Sequence, residues 1–254
     1  MKSKLHSEAE LNRARFELEV HASLKNRFVI PFLGGEETVD SFVLVTPLAI
    51  GDLNSLTTHK VLSEYNCRNL CHQLLNGLTY LHNEIGLVHC DIKPANILVF
   101  RNGKSLSVCI CDFGFSEYVV SGTNLPYSGM RGSLGYFSPE QLNRQEYGHP
   151  VDMFALGIII YTLLCGYEPF YPSNKAGLMY TDSTVLQFES PYWDNISPKA
   201  IEFIKSLLCG NPQTRLSAND ALVSPWIAST PQILSPQANS EDDDIQFADP
   251  REFF

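Results

Sequence analysis

Two short stretches carry the residues best suited to chemistry: His89-Cys90-Asp91-Ile92-Lys93-Pro94-Ala95-Asn96 and, a little downstream, Asp112-Phe113-Gly114. Together they supply a carboxylate, a cation and two oxygen donors, the set that phosphoryl transfer requires. That reaction passes through a loose, highly charged transition state, so its catalysis is mostly positioning and electrostatics. Asp91 would accept the proton of an attacking hydroxyl, and Lys93 would hold the transferring phosphate. Asn96 and Asp112 would bind Mg²⁺ through hard oxygen atoms.

Such a set needs elements that fix it in space. Ile97-Leu98-Val99-Phe100, a turn at Asn102-Gly103 and the run from Leu106 to Ile110 predict a hairpin. It would carry the first stretch at one end and Asp112 at the other. Upstream, Ser7-Glu8-Ala9-Glu10 has capping-box spacing. Leu11, Ala14 and Leu18 then follow at helical intervals, with His21 and Ala22 continuing that face. Phe42-Val43-Leu44-Val45 predicts a buried strand, and Leu70, Leu74, Leu78 and Leu81 mark one face of a second helix. Ser197-Pro198 predicts an N-cap with Pro at the first helical position. The order is helix, strands, helix, hairpin, long loop and helices, with no internal repeat.

The two stretches resemble the catalytic and metal-binding loops of protein kinases, and further features occur in that family's order. Ser138-Pro139-Glu140 is similar to the family's Ala-Pro-Glu. Asp152 opens the apolar run Met153-Phe154-Ala155-Leu156-Gly157-Ile158-Ile159-Ile160-Tyr161, like the start of the family's central buried helix. Arg215 stands where the family places the buried Arg that pairs with the Glu of that motif, here Glu140. The resemblance covers roughly residues 1–228. It implies an α+β, two-lobe protein kinase-like fold with a truncated N-terminal β lobe (1–49) and a complete, mainly α-helical C-terminal catalytic lobe (50–228). A disordered acidic tail (229–254) is expected to follow.

It also implies ATP and Mg²⁺ as cofactors. On the implied alignment Glu17 is the Glu that pairs with the ATP-contacting Lys, and Val45 is the gatekeeper. Thr46-Pro47-Leu48 forms the hinge that hydrogen-bonds adenine, and Leu98 lies under the ring. His21, His89, Phe113 and Asp152 fall where the family stacks its regulatory spine, so His21 is expected to be packed rather than a ligand or base. Lys93, two residues after Asp91, resembles the Ser/Thr kinases. Gly132-Ser133 fits them too, with the Ser133 hydroxyl expected on Asp91 and Lys93. Phe188-Glu189-Ser190-Pro191-Tyr192-Trp193-Asp194-Asn195-Ile196-Ser197 and Ala221-Leu222-Val223-Ser224-Pro225-Trp226-Ile227 resemble the calcium/calmodulin-dependent kinase group. Asp52 could contact a basic residue before the phosphosite, although Ala95 and Thr162 lack acidic groups that some basophilic relatives carry.

Departures from the family pattern are equally specific. No glycine-rich loop precedes the first helix. The family's strand Lys falls roughly 15–20 residues before the helix Glu, and Lys2 lies 15 residues before Glu17. Lys2 is thus either the last trace of that strand, contacting ATP, or an ordinary terminal lysine. On the first reading about thirty residues are missing, including the roof over the phosphates. The strand at Phe42–Val45 would then have an unpaired edge. An incomplete gene model, a truncated isoform and a degenerate copy all fit such a chain. Cys90 stands where most kinases place an Arg that pairs with an activation-segment phosphate. A neutral thiol cannot replace those bonds, so phosphomimetic changes at Ser121, Thr123 or Ser128 are expected to have weak effects. Cys111 is expected to be a plain buried thiol near the ATP pocket.

Composition sets the outer bounds. The chain has 254 residues, 44% hydrophobic and 18% charged, which suits an ordered protein with a sizeable core. A net charge of −10 argues against nonspecific nucleic-acid binding and suits basic peptide substrates. Seven cysteines and no secretory signal predict a reducing, intracellular setting, cytoplasmic or nuclear. Cys109 and Cys111 lack a second pair to complete a zinc site. The run from Phe154 to Cys165 is too short to span a bilayer, so no membrane role is expected. The acidic tail, with Glu241-Asp242-Asp243-Asp244, shows no basic amphipathic calmodulin-binding segment. Two functions remain open on this reading. One is a Ser/Thr protein kinase acting on protein substrates with Ser/Thr sites, and the other is a noncatalytic, pseudokinase-like scaffold.

Overall fold

A computed structural model describes residues 2–3, 8–39, 41–58, 60–103, 105–119, 123–126, 129–170 and 186–229. The chain opens with strand β1 (Lys2–Ser3) and helix α1 (Glu8–Ser23). Glu8 and Glu10 in the first turn of α1 complement the positive end of the helix dipole. Ser7, the expected capping residue, lies outside the described residues. Ala14, Val20 and His21 form the buried stripe of α1, whereas Ala22 is exposed, just past the edge of that stripe.

Strands β2 (Gly34–Glu37) and β3 (Ser41–Val45) complete a three-stranded antiparallel sheet in the order β1-β3-β2. Its register pairs Gly34 with Val45 and Glu37 with Phe42 on one side, and Lys2 with Phe42 on the other. The expectation of an unpaired β3 edge is therefore corrected at Ser41 and Phe42, which β1 covers. β3 is also less buried than its apolar run implied. Its first two residues are buried, while Leu44 and Val45 are 38% and 47% exposed.

The rest of the molecule is largely helical. After β4 (Gly51–Asp52), the Asp52 carboxylate accepts from Ser55 N and caps the short helix α2 (Leu53–Thr57). Helix α3 (Glu64–Thr79) is capped by Ser63 and widens into a π turn at Tyr80–Ile85. Gly86, at φ +73°, stops it in the left-handed conformation that favours glycine. Leu70, Leu74 and Leu78 are buried along one face of α3, as their spacing requires, and Leu81 is buried in the π turn.

Strand β5 (Leu87–Val88) leads into the stretch that begins at His89 and closes with a 3₁₀ turn at Pro94–Asn96. Strands β6 (Ile97–Asn102) and β7 (Ser105–Ile110) form the expected hairpin, with Ile97 opposite Ile110. Strand β8 (Glu117–Tyr118) pairs back onto β5.

Helices α4 (Pro139–Leu142), α5 (Pro150–Cys165), α6 (Pro198–Leu207) and α7 (Ala218–Leu222) complete the fold. Every residue of α5 except Pro150 and Thr162 is buried, so α5 is the axis of the core. A helix apolar all round demands neighbours on every side. Gly157 lets α6 press against it: a Cβ there would come within 2.9 Å of Leu207 Cβ. Among the described residues no helix is long and apolar enough to cross a membrane. Ser197 and Pro198 open α6 as their order predicted, with the Ser197 hydroxyl accepting from Ala200 N at 3.2 Å.

Two ion-paired or hydrogen-bonded nodes lock these helices. Arg215 reaches Glu140 through Nη1 and Nη2 at 2.6 and 2.9 Å, the pairing that the family resemblance implied. It also donates to the carbonyls of Cys209 and Pro150. The Glu64 carboxylate accepts from Ser197 N, Ser197 Oγ and Trp226 Nε1, tying α3 to the start of α6 and the domain end.

Candidate active site

The stretch His89–Asn96 is shaped by a carboxylate from the core helix. Asp152 Oδ2 accepts from His89 N at 2.8 Å, and Oδ1 accepts from Cys90 N at 2.9 Å. His82 reaches Oδ2 as well, at 2.9 Å. These bonds hold Cys90 at φ +67°, a left-handed conformation uncommon for a side-chain-bearing residue. Burial alone would raise the Asp152 carboxyl, but the bond from His82 and the neighbouring histidines outweigh it and hold it below its usual value. The turn that presents Asp91 is thus fixed from beneath by α5.

Above that turn, Asp91 is 2% exposed and its two oxygens differ. Oδ2 accepts from Lys93 Nζ at 2.7 Å and from Asn96 Nδ2 at 3.0 Å. Oδ1 is buried with no hydrogen-bond partner among the described residues. A buried carboxylate oxygen without a donor is costly and reactive toward an incoming hydroxyl. Lys93 also donates to Ser133 Oγ at 2.6 Å, so Ser133 bonds the lysine rather than Asp91 itself. Gly132 makes that approach possible. It sits at φ +109°, and a Cβ there would fall 2.4 Å from the Cys90 carbonyl.

Asn96 and Asp112 come together through the hairpin. Cys111 N donates to Asn96 O at 2.9 Å, directly beyond the Ile97–Ile110 pair. Asp112 takes φ +66°, and its Oδ1 accepts from Gly114 N. A Cβ at Gly114 would lie 3.1 Å from the Asp112 carboxylate and 3.3 Å from that of Glu17. Two carboxylates crowded on one glycine favour a cation between them. Among the described residues no cluster of three His, Cys, Asp or Glu side chains forms a closed metal cage. An open pair of oxygen donors is what Mg²⁺ uses when phosphates supply the other ligands.

Of the expected nucleotide-side residues, none is among the described residues lining the cavity beside Asp112. This cavity, of about 580 Å³, is lined by Ala9, Arg13 and Ala14 of α1, Phe42 of β3, and Asp112, Gly114 and Arg131 among others. Backbone pairing sets Lys2 opposite Phe42, which lines this cavity. Val45 is held by its carbonyl, which accepts from Leu33 N. Thr46 is half-buried and Leu48 is 96% exposed. Leu98 packs partly buried against the core, paired with Cys109 across the hairpin and Asp52 on its other side.

The four expected spine residues form a continuous column. The rings of His21 and Phe113 are 5.4 Å apart and those of Phe113 and His89 5.3 Å, and His89 rests on Asp152. His21 Nε2–H donates to the Ile30 carbonyl at 2.6 Å, and burial lowers its pKa. It is a neutral packed residue, as expected. All seven cysteines are free thiols. Burial, then the Asp112 charge, pushes the Cys111 thiol up to about 12, which leaves little thiolate. Ser121, Ser128 and the acidic tail beyond Ser229 lie outside the described residues.

Sequence reasoning missed three charged neighbours. Arg13 donates to Gly114 O at 2.6 Å, and both Arg13 and Arg131 reach Glu117. Arg13 lies one helical turn before Glu17 on α1, a signal that could have drawn attention to it. Nothing local marks Glu117 or Arg131.

Known proteins match this arrangement. The model of the protein kinase domain family matches residues 1–227. Calcium/calmodulin-dependent protein kinase type 1 of Caenorhabditis elegans is 33% identical over 215 residues, 84% of this chain and 61% of the relative. The protein of the same name from Macrobrachium nipponense is 34% identical over 218 residues, again 84% and 61%. The probable serine/threonine-protein kinase pXi of Dictyostelium discoideum is 34% identical over 216 residues, 84% of this chain and 30% of the relative. This chain therefore spans about three fifths or less of the curated relatives it matches. With a helical lobe carrying the His89–Asn96 stretch and a small sheet beside α1, the chain belongs to the protein kinase family, in its serine/threonine, calcium/calmodulin-dependent-kinase-like branch.

Proposed function

We propose that this chain transfers the γ-phosphate of ATP to Ser or Thr hydroxyls of protein substrates. The single observation that carries the reading is the divided carboxylate of Asp91. One oxygen is fixed by Lys93 and Asn96, and the other is buried without a donor. In the reaction, Asp91 Oδ1 would accept the proton of the substrate hydroxyl as its oxygen bonds the γ-phosphorus, while the bond from that phosphorus to the β,γ-bridging oxygen breaks and ADP leaves. Lys93, anchored on Asp91 and Ser133, faces the transferring phosphate. Asn96 and Asp112 would hold Mg²⁺, and Glu17 would hold the lysine that orients the nucleotide, for which Lys2 is the candidate. Val45, Thr46, Leu48 and Leu98 would border the adenine. What bound ATP and Mg²⁺ contribute is the phosphoryl group and neutralisation of the charge that builds on it.

On this reading residues 1–49 are the nucleotide-covering lobe and 50–228 the catalytic lobe. Seven free thiols support an intracellular setting. The net charge of −10 supports substrates with a basic context.

The test is peptide phosphorylation by the whole chain with ATP and Mg²⁺, wild type against Asp91→Asn. Loss of the base is expected to lower turnover by at least about 100-fold. Transfer at near wild-type rate by Asp91→Asn would remove Asp91 from its role. A wild-type chain that binds protein partners but transfers no phosphate would support the scaffold reading instead.

A further inference from the structure

The segment that delivers Ser133 to Lys93 is fastened by a charge cluster that the catalytic set does not include. Glu117, in β8, is its centre. Arg131 Nη1 pairs with Glu117 Oε1, and Arg13 Nη1 approaches the same oxygen at 3.8 Å. Arg13 is itself anchored, because its Nε donates to Gly114 O at 2.6 Å. The three side chains are only 21–31% exposed, so water screens them incompletely. Burial first, and then the charge of Arg131, lowers the Arg13 pKa, so the two guanidinium groups stand close to each other.

The cluster joins three pieces of chain. Arg13 belongs to α1, Glu117 to the strand that pairs with Val88 just before the catalytic stretch, and Arg131 to the segment that ends at Ser133. Arg131 is followed by Gly132, pressed against the Cys90 carbonyl, and then by Ser133 on Lys93. Cys90, a buried thiol whose pKa burial raises well above its usual value, brings no charge to this face. The fastening must come from elsewhere.

We infer that Arg131, held by Glu117, is a positioning residue for phosphoryl transfer. The pair docks residues 131–133 on the catalytic stretch and keeps the Ser133 hydroxyl on Lys93 without any covalent modification. The inference rests on the kinase reading for its kinetic consequence but not for its structural one. Lys93 reaches the phosphate only if its other partner stays in place, and misplacement of about 1 Å can cost about 100-fold in rate.

The experiment compares whole-chain wild type, Arg131→Met, Arg131→Lys and Glu117→Gln. The readouts are steady-state kinetics and amide hydrogen exchange over 131–136. Arg131→Met is expected to lower kcat by about 10- to 100-fold with KM for ATP unchanged, and to speed exchange across the segment. Glu117→Gln should move both readouts in the same direction, and Arg131→Lys, which keeps the charge, should recover most of each. Unchanged exchange in Arg131→Met would overturn the inference, as would a kcat within twofold of wild type. A lysine variant no better than methionine would also overturn it. If the wild type shows no turnover, the kinase reading fails by itself, and exchange still decides whether the pair docks the segment.

Discussion

The two ends of the candidate site are built to different standards. On the α5 side, Asp91, His89 and Asn96 are buried, and the turn that bears them is held by the Asp152 carboxylate from within the core. On the β3 side, Leu44, Val45 and Leu48 are substantially exposed, and among the described residues β1 pairs with Ser41 and Phe42 of its neighbour. The stretch around Asp91 is thus fixed by tertiary packing, whereas the opposite end rests on a half-exposed strand. Local stability is expected to follow the same gradient.

That contrast can be broken most forcefully at Arg215. Arg215→Ala leaves the Glu140 carboxylate buried without its cation, and removal of one partner of a buried pair costs about 3–5 kcal/mol. A urea unfolding midpoint should shift accordingly. A loss below about 1 kcal/mol would mean the helical lobe is not locked through this node.

A smaller effect is expected from pH. Burial, and then His82 stacked at 4.6 Å, pushes His149 down to about 4, below the usual histidine value of about 6.5. The folded chain therefore binds this proton less readily than the unfolded one. Its contribution is fully present above about pH 6.5 and is lost progressively as pH falls toward about 4. Allowing for partial exposure, the loss should be about 1–3 kcal/mol. His149→Gln should flatten that slope in acid-dependent thermal melts. An identical slope in the variant would assign the loss to other groups.

The smallest change is expected on the sheet. Leu44→Ser, at a position 38% exposed, should alter global stability by no more than about 0.5 kcal/mol. A drop of 2 kcal/mol or more would erase the difference between the two ends and show that β3 belongs to the cooperative core.

Legibility in the sequence followed the range of the interactions. The helix start at Ser197-Pro198 and the Asn102-Gly103 hairpin were readable because neighbouring residues satisfy each other's backbone groups. Leu70, Leu74 and Leu78 were readable because helical periodicity places them on one face. Glu140 and Arg215, far apart in the chain, could be paired only through the family pattern. Leu44 and Val45 misled because an apolar run of strand length does not say which face, or how much of it, will be covered. Glu117 and Arg131 gave no local sign, and Arg13 gave only its place one helical turn before Glu17, since order along the chain carries no information about their meeting.

By itself, then, the sequence determined the family, because Asp91, Lys93, Asn96 and Asp112 stand in that family's order. The caps and periodicities indicate which elements carry them. Only the tertiary structure decided how Asp91 is divided between a bonded and an unbonded oxygen. It alone decided that Asp152 fixes the turn and that Glu117 gathers two arginines beside it. The physical reason is that side-chain type and backbone hydrogen bonding are local properties. Burial and charge pairing depend on segments that only the folded chain brings together.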